Sequence, residues 1–346
     1  MIILFALLVL MVLTSLKVNT KTLDSQYMSR DNTAAIKGIF IIIVFMSHIR
    51  SYCIFDGTAD YYVIKIIDYL GQLMVAMFLF YSGFGVYESI KKKGIDYVKA
   101  IPKNRILKTF LNFVYAIILF IIMNLVLGIE HGLKEIVLAP TGWTSIGNSN
   151  WYMFAIFTLY IITYVSFITF KTDRLFAFLL FGLLSVAYVK LICKYQGMWW
   201  CDTYLCYLAG MIYSAHKEKI DGFFVKSRNL GYIITLVATL ALYFIVAPVR
   251  YTGIYIYNFV AIIFCLCIII LSMRFTIRSK ILIWCGQNLF WLYILQRIPM
   301  IILKHIGFIQ NNEYIFVISC VILTIILSLM SIKVIELGRK HTKLPL

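Results

Sequence analysis

The sequence is dominated by a succession of apolar runs, each close to the roughly 20 residues that a helix needs to cross the hydrocarbon core of a bilayer. Ten follow one another, at residues 36–55, 69–87, 106–129, 151–170, 175–192, 200–215, 230–249, 258–273, 281–306 and 314–337. Backbone polar groups in lipid must be satisfied inside each segment or in a closed barrel. Barrel strands alternate polar with apolar side chains, and these runs do not, so each is predicted to be a helix. A soluble domain could not be built from this chain, because 62% of its 346 residues are hydrophobic and only 14% are charged. The expected fold is an all-α polytopic transmembrane bundle of ten core spans. Residues 1–16 form a shorter apolar segment. No basic residue precedes it, Lys17 and Lys21 follow it, and no small-x-small cleavage site is present. It is therefore expected to be an extra N-terminal span rather than a signal peptide. Residues 1–26 read as this hydrophobic segment with its linker, and 27–346 as one integral membrane domain.

The net charge of +17 could suggest a nucleic-acid partner, but its distribution argues against one. If every second connection lies in the cytosol, beginning with residues 17–37, those connections carry 24 of the 32 Lys and Arg residues. The other side keeps Arg50, Lys65, Lys134, Lys190, Lys194, Arg250, Arg297 and Lys304. One alternation thus satisfies the positive-inside rule along the whole chain. Membrane topology and anionic lipid account for the charge, with no nucleic acid involved. A multi-pass protein of the cell (plasma) membrane with a cytosolic C-terminus is expected. Eight cysteines form no CxxC pair and no His–Cys cluster, and Cys206, Cys265, Cys267, Cys285 and Cys320 are among those inside spans, so neither a metal site nor a bound cofactor is predicted.

Ionisable and polar residues at membrane depth are costly, and each is a functional candidate. Lys37 and His48 lie eleven residues apart on one run, which places them on nearly the same helix face, roughly 16 Å apart along the axis. The spacing predicts that both look into one crevice, with the cation at the inner rim. A neutral imidazole there could take a proton from an attacking hydroxyl, or could serve only as a hydrogen-bonded structural group. In "KKKGIDYVKAIPKNRILKTF", Pro102 suits the first turn of a helix, with Arg105 and Lys108 on one face beside its N-terminus. That arrangement reads either as a phosphate site or as a topology anchor at the head groups. Ser82 and Gly83 permit a close helix approach or a bend near the inner end of a span. Asn150, Trp151 and Tyr152 stand at an outer span entrance, where Asn150 could orient a sugar hydroxyl and the aromatics could be interfacial anchors.

These pieces, in this order, resemble the membrane-bound acyltransferase 3 family of bacterial enzymes that O-acylate cell-envelope and exported glycans. Lys37 and His48 match a basic residue, ten intervening residues and a His. Ser82, Gly83 and Phe84 match a Ser-Gly-aromatic element. Arg105 and Lys108 match an Arg-x-x-Arg element in which Lys replaces the second Arg. Trp151 and Tyr152 match a Trp-Tyr pair, and "LAGM" at residues 208–211 a small-residue element. "WCGQNLFWLYILQ" resembles a late Gly-x-Asn-Ser-x-x-x-Tyr-x-x-His element, keeping Asn288, with Leu289 at the Ser position and Gln296 at the His position, followed by Arg297. The resemblance implies a catalytic His48, acting as general base or acyl carrier. It also implies acetyl-CoA as donor, held by Lys37, Arg105 and Lys108, and a glycan or lipid-linked glycan as acceptor. Ser82, Gly83, Asn150, Trp151, Tyr152, Asn288, Gln296 and Arg297 are the accompanying acceptor-site or structural candidates. A multispan transporter or flippase is the competing class, though no internal repeat is visible in the sequence.

Overall fold

The computed structural model describes residues 1–20, 22–171, 173–308 and 312–341. Lys21 and Lys343, two of the basic connection residues, lie outside the described residues. The chain is a bundle of helices: α1 (Ile2–Ser15), α2 (Arg30–Ile49), α3 (Thr58–Leu70), α4 (Leu73–Lys93), α5 (Ile95–Ile101), α6 (Lys108–Leu127), α7 (Leu133–Leu138), α8 (Trp151–Phe170), α9 (Arg174–Ile192), α10 (Cys206–Val246), α11 (Ile254–Ser272), α12 (Lys280–Gln287), α13 (Leu289–Leu295), α14 (Arg297–His305) and α15 (Glu313–His341). Strands β1 (Leu16–Val18) and β2 (Phe275–Ile277) pair antiparallel and tie the end of α1 to the connection after α11. Local sequence sets several boundaries. Ser29 caps α2 by accepting from the Asn32 amide at 3.3 Å, and Asp173 caps α9 by accepting from Phe176 at 3.2 Å. Lys91, Lys92 and Lys93 occupy the last turn of α4, where cations complement the helix dipole. Outward-facing residues such as Leu125, Val126, Leu175 and Leu183 are exposed and apolar, a surface suited to lipid.

Among the described residues, eight helices are long and apolar enough to cross a membrane, and α1 is a shorter apolar helix. The other two expected runs are built differently. Residues 200–215 begin as a 3₁₀ turn and become helical only at Cys206, the start of a 41-residue helical run, α10. A straight helix of that length would hold its ends about 60 Å apart. The ends instead return to one place: the Leu205 amide donates to Asn258 Oδ1 at 2.8 Å, and the Tyr251 ring packs on Tyr257 at 5.5 Å. α10 therefore folds back on itself. The far ends of its two halves are also neighbours, because Asp221 accepts from Tyr27 and Asn229 from Arg274. Tyr27 and Arg274 are joined in turn through the Asp24 amide, which bonds the Met273 carbonyl at 2.7 Å. The reversal thus lies between Asp221 and Asn229, at the same end of the bundle as the β1–β2 ribbon, within the segment the sequence marks as a basic connection.

Residues 281–306, expected as one span, are three short helices broken at Asn288 and Gln296. Pro299 has no N–H for the Leu295 carbonyl one turn earlier, so a regular helix cannot run through this point. The Gln296 side chain turns back to donate to the Tyr293 carbonyl at 2.9 Å, and the Asn288 side chain to that of Trp284 at 2.9 Å.

A second difference concerns Pro102. It does not begin a helix: Ile95–Leu127 runs on as a single span, widened to a π-helical turn over Pro102–Leu107. The missing N–H and the ring are accommodated by that widening, and the free helix N-terminus expected beside Arg105 does not exist.

Glycines hold the core helices at close range. A Cβ on Gly83 would overlap the Tyr207 carbonyl, and one on Gly210 would overlap that of Phe80, so α4 and the first half of α10 meet backbone to backbone. α2 and α12 meet in the same way, with Gly38 against the Leu282 carbonyl and Gly286 against that of Ala34. Gly286→Ala and Gly210→Ala should each lower the thermal unfolding temperature in detergent, corresponding to about 1–3 kcal/mol of overpacking strain. Gly85→Ala, which faces open space, should lose no stability. Equal unfolding temperatures for all three variants would refute the close-approach account.

Candidate active site

Two cavities lie in series along α2. The larger, about 650 Å³, is lined by Lys37 of α2, by Ser82 and Gly85 of α4, by Arg105 and Lys108, and by Tyr152 of α8 and Tyr293 of α13. Its cationic wall comes from one face of the helix that carries the π turn: Asn104, Lys108 and Asn112 stand four residues apart, with Arg105 and Thr109 beside them, and all line the cavity. Arg105 donates through Nε to the Tyr97 hydroxyl at 3.0 Å, with its guanidinium carbon 5.9 Å from that ring's centroid. This contact fixes the guanidinium on the cavity side. Asn112 Oδ1 is buried without a hydrogen-bond partner. Three basic side chains, five tyrosines and several amides around one space make a site suited to an anionic, multiply hydrogen-bonding ligand.

The smaller cavity, about 170 Å³, lies toward the opposite end of α2. His48 lines it with Ser47, Arg50, Asp68, Gln72 and Trp151. Arg50 and Asp68 form an ion pair of 2.7 Å at its rim. His48 Nδ1 is buried and has no hydrogen-bond partner, so the structure offers no anchoring bond at that nitrogen. Arg297 follows the break at Gln296, and its charge acts on His48, Tyr52 and Tyr293. Its Nε is likewise buried and unpartnered.

Lys37, Arg105, Lys108, Ser82 and Tyr152 are thus brought together, as are His48 and Trp151, with Arg297 close by. The expectation of one crevice shared by Lys37 and His48 is corrected: eleven residues of helix carry them into separate cavities, which meet at Tyr293. Gly83 belongs to the helix crossing rather than to either cavity. Asn150 lines neither; its backbone carbonyl accepts the first amides of α8, and its side chain donates to the Trp143 carbonyl at 3.4 Å. Asn288 and Gln296 serve the helix breaks. Gln296 also faces a separate apolar cavity beside α1, with Oε1 unpartnered. Sequence reasoning passed over Asn104, Thr109 and Asn112, although their helical spacing on an apolar run was a readable signal. It also missed Asp68, near the end of α3, and Gln72, the residue before α4.

No curated protein and no solved structure matches the chain significantly. A family model described as an acyltransferase domain, Acyl_transf_3, matches residues 34–333 and so covers both cavities and nearly every span. The chain therefore belongs to the acyltransferase 3 family and is a multi-pass membrane acyltransferase.

Proposed function

We propose that the protein is an O-acetyltransferase that moves an acetyl group from cytosolic acetyl-CoA to a hydroxyl of an exported or cell-surface polysaccharide. The observation that carries this reading is the gathering of Lys37, Arg105 and Lys108 around one large cavity that abuts the cavity of His48. Acetyl-CoA carries several phosphate oxygens on a long, narrow arm. The three cations suit the phosphates, and the tyrosine-lined depth suits the pantetheine arm and thioester. The acceptor hydroxyl enters the His48 cavity past the Arg50–Asp68 rim. His48 takes its proton as the oxygen attacks the acetyl carbonyl, the C–S bond breaks, and CoA leaves as thiol after the proton is returned. In the covalent version His48 first carries the acetyl group and then passes it to the hydroxyl. The basic connections face the cytosol, so the donor cavity fills from inside and the acceptor cavity from outside.

Three measurements bear on this reading. A cysteine at Ser145 should react with an impermeant thiol reagent in intact cells, and one at Gly94 should not. The reverse pattern would invert the membrane orientation and with it the assignment of donor and acceptor sides. Arg105→Ala should raise KM for acetyl-CoA by one to two orders of magnitude with a smaller change in kcat, as a charge-assisted contact contributes about 1.5–3 kcal/mol. An unchanged KM would remove Arg105 from donor binding. His48→Ala and His48→Gln should both insert normally and lose acetyl transfer by about 10²–10⁴-fold or more. Near-normal transfer by a stable His48→Gln protein would leave the histidine a structural role only.

A further inference from the structure

The boundary between the two cavities is thin and is built from rings. On α4, Val75 lines the His48 cavity and Phe78, one turn later, lines the cationic one; on α8, the consecutive residues Trp151 and Tyr152 divide the same way. Among the described residues, Tyr293 alone lines both. At this level the rings follow in sequence: Phe78 to Tyr152 at 6.3 Å and 88°, Tyr152 to Tyr293 at 5.3 Å and 61°, and Tyr293 to His48 at 6.1 Å and 52°. The first two contacts are edge-to-face and the third is tilted; such packing holds ring positions, and Tyr293 is only 3% exposed.

We propose that Tyr293 is a specificity-determining partition, which withholds the donor thioester from water in the acceptor cavity so that the acetyl group passes to a hydroxyl of the glycan. This inference rests on acetyl-CoA as the donor. The acceptor cavity is polar, and its rim residues Arg50 and Asp68 have side chains 29% and 51% exposed, so water reaches it whenever the glycan is absent. If water met the thioester, its oxygen would add to the acetyl carbon, the C–S bond would break, and the sulfur would leave as thiolate and take up a proton. The products would be acetate and free CoA, with no other reactant needed. Exclusion of water from a reactive intermediate is a general task of closed sites, and here one ring stands at the junction. Residues 289–295 form a single short helix between two breaks, so a shift of Tyr293 during transfer would not displace a long span.

The test is release of free CoA from acetyl-CoA by purified protein in liposomes without acceptor, with donor binding measured on the same samples. Tyr293→Ala, which joins the cavities, should raise CoA release by about an order of magnitude. Tyr293→Leu should give an intermediate rise, and Tyr293→Phe, which keeps the ring, the smallest. A merely structural role would lower turnover instead of raising hydrolysis, and Leu keeps the test open should Ala fail to fold. Folded variants that bind acetyl-CoA and hydrolyse it no faster than the wild type would overturn the proposal, as would an equal rise in all three. Failure of the wild-type protein to bind acetyl-CoA would overturn the donor assignment, and the partition with it.

Discussion

Helices in lipid gain nothing from hiding apolar surface, since the solvent is itself apolar, so their association depends on close packing and polar contacts. The structure meets this constraint with two glycine crossings, α4 against α10 and α2 against α12. Everything functional hangs on them. α2 carries Lys37 and His48, and α4 supplies Ser82 and the wall from Val75 to Phe78. Bulkier residues at the crossings would push these helices outward and separate the groups that line each cavity. The glycines are scaffold, but they set the width of the site.

On that scaffold irregular and interrupted segments add to the polar groups that the regular helices carry. The π turn presents Arg105, and the breaks at Asn288 and Gln296 release Tyr293 and bring Arg297 beside His48. Irregular backbone at membrane depth is tolerated where it is buried in protein or lines a cavity. At both breaks a side-chain amide bonds back into the preceding turn, Asn288 to the Trp284 carbonyl and Gln296 to that of Tyr293. The residues singled out in the sequence at 288 and 296 thus stand at the interruptions themselves.

Much of this was legible in the sequence. Run length and the absence of alternation identify a helical membrane bundle, and the charge pattern marks the end at which α10 reverses. The motif order pointed to the acyltransferase 3 family, and the family match over residues 34–333 agrees. What escaped the sequence has physical causes. Whether a proline opens a helix or sits inside one depends on whether the backbone can widen locally, which composition does not reveal. The reversal within α10 falls in the connection expected between the runs at 200–215 and 230–249, but the helical pattern continues through it, and the Leu205–Asn258 and Tyr251–Tyr257 contacts are what show that the two ends meet. The partition between cavities depends on ring orientation across three helices, and no spacing along one helix encodes that.

The π turn also constrains how this chain can vary. A turn closed by i→i+5 bonds holds one residue more than the surrounding α-helix, and each residue advances the helix by about 100°. Deleting one residue between Pro102 and Leu107 would restore ordinary winding. The flanking helices would keep their phase, because the wide turn had absorbed the extra residue, but Arg105, inside that turn, would shift around the axis relative to the stripe Lys108, Thr109 and Asn112. Point substitutions here alter one contact, whereas a change of length alters where Arg105 stands against the rest of the polar face. Natural variation in this segment should therefore be by replacement, with insertions and deletions confined to the loops.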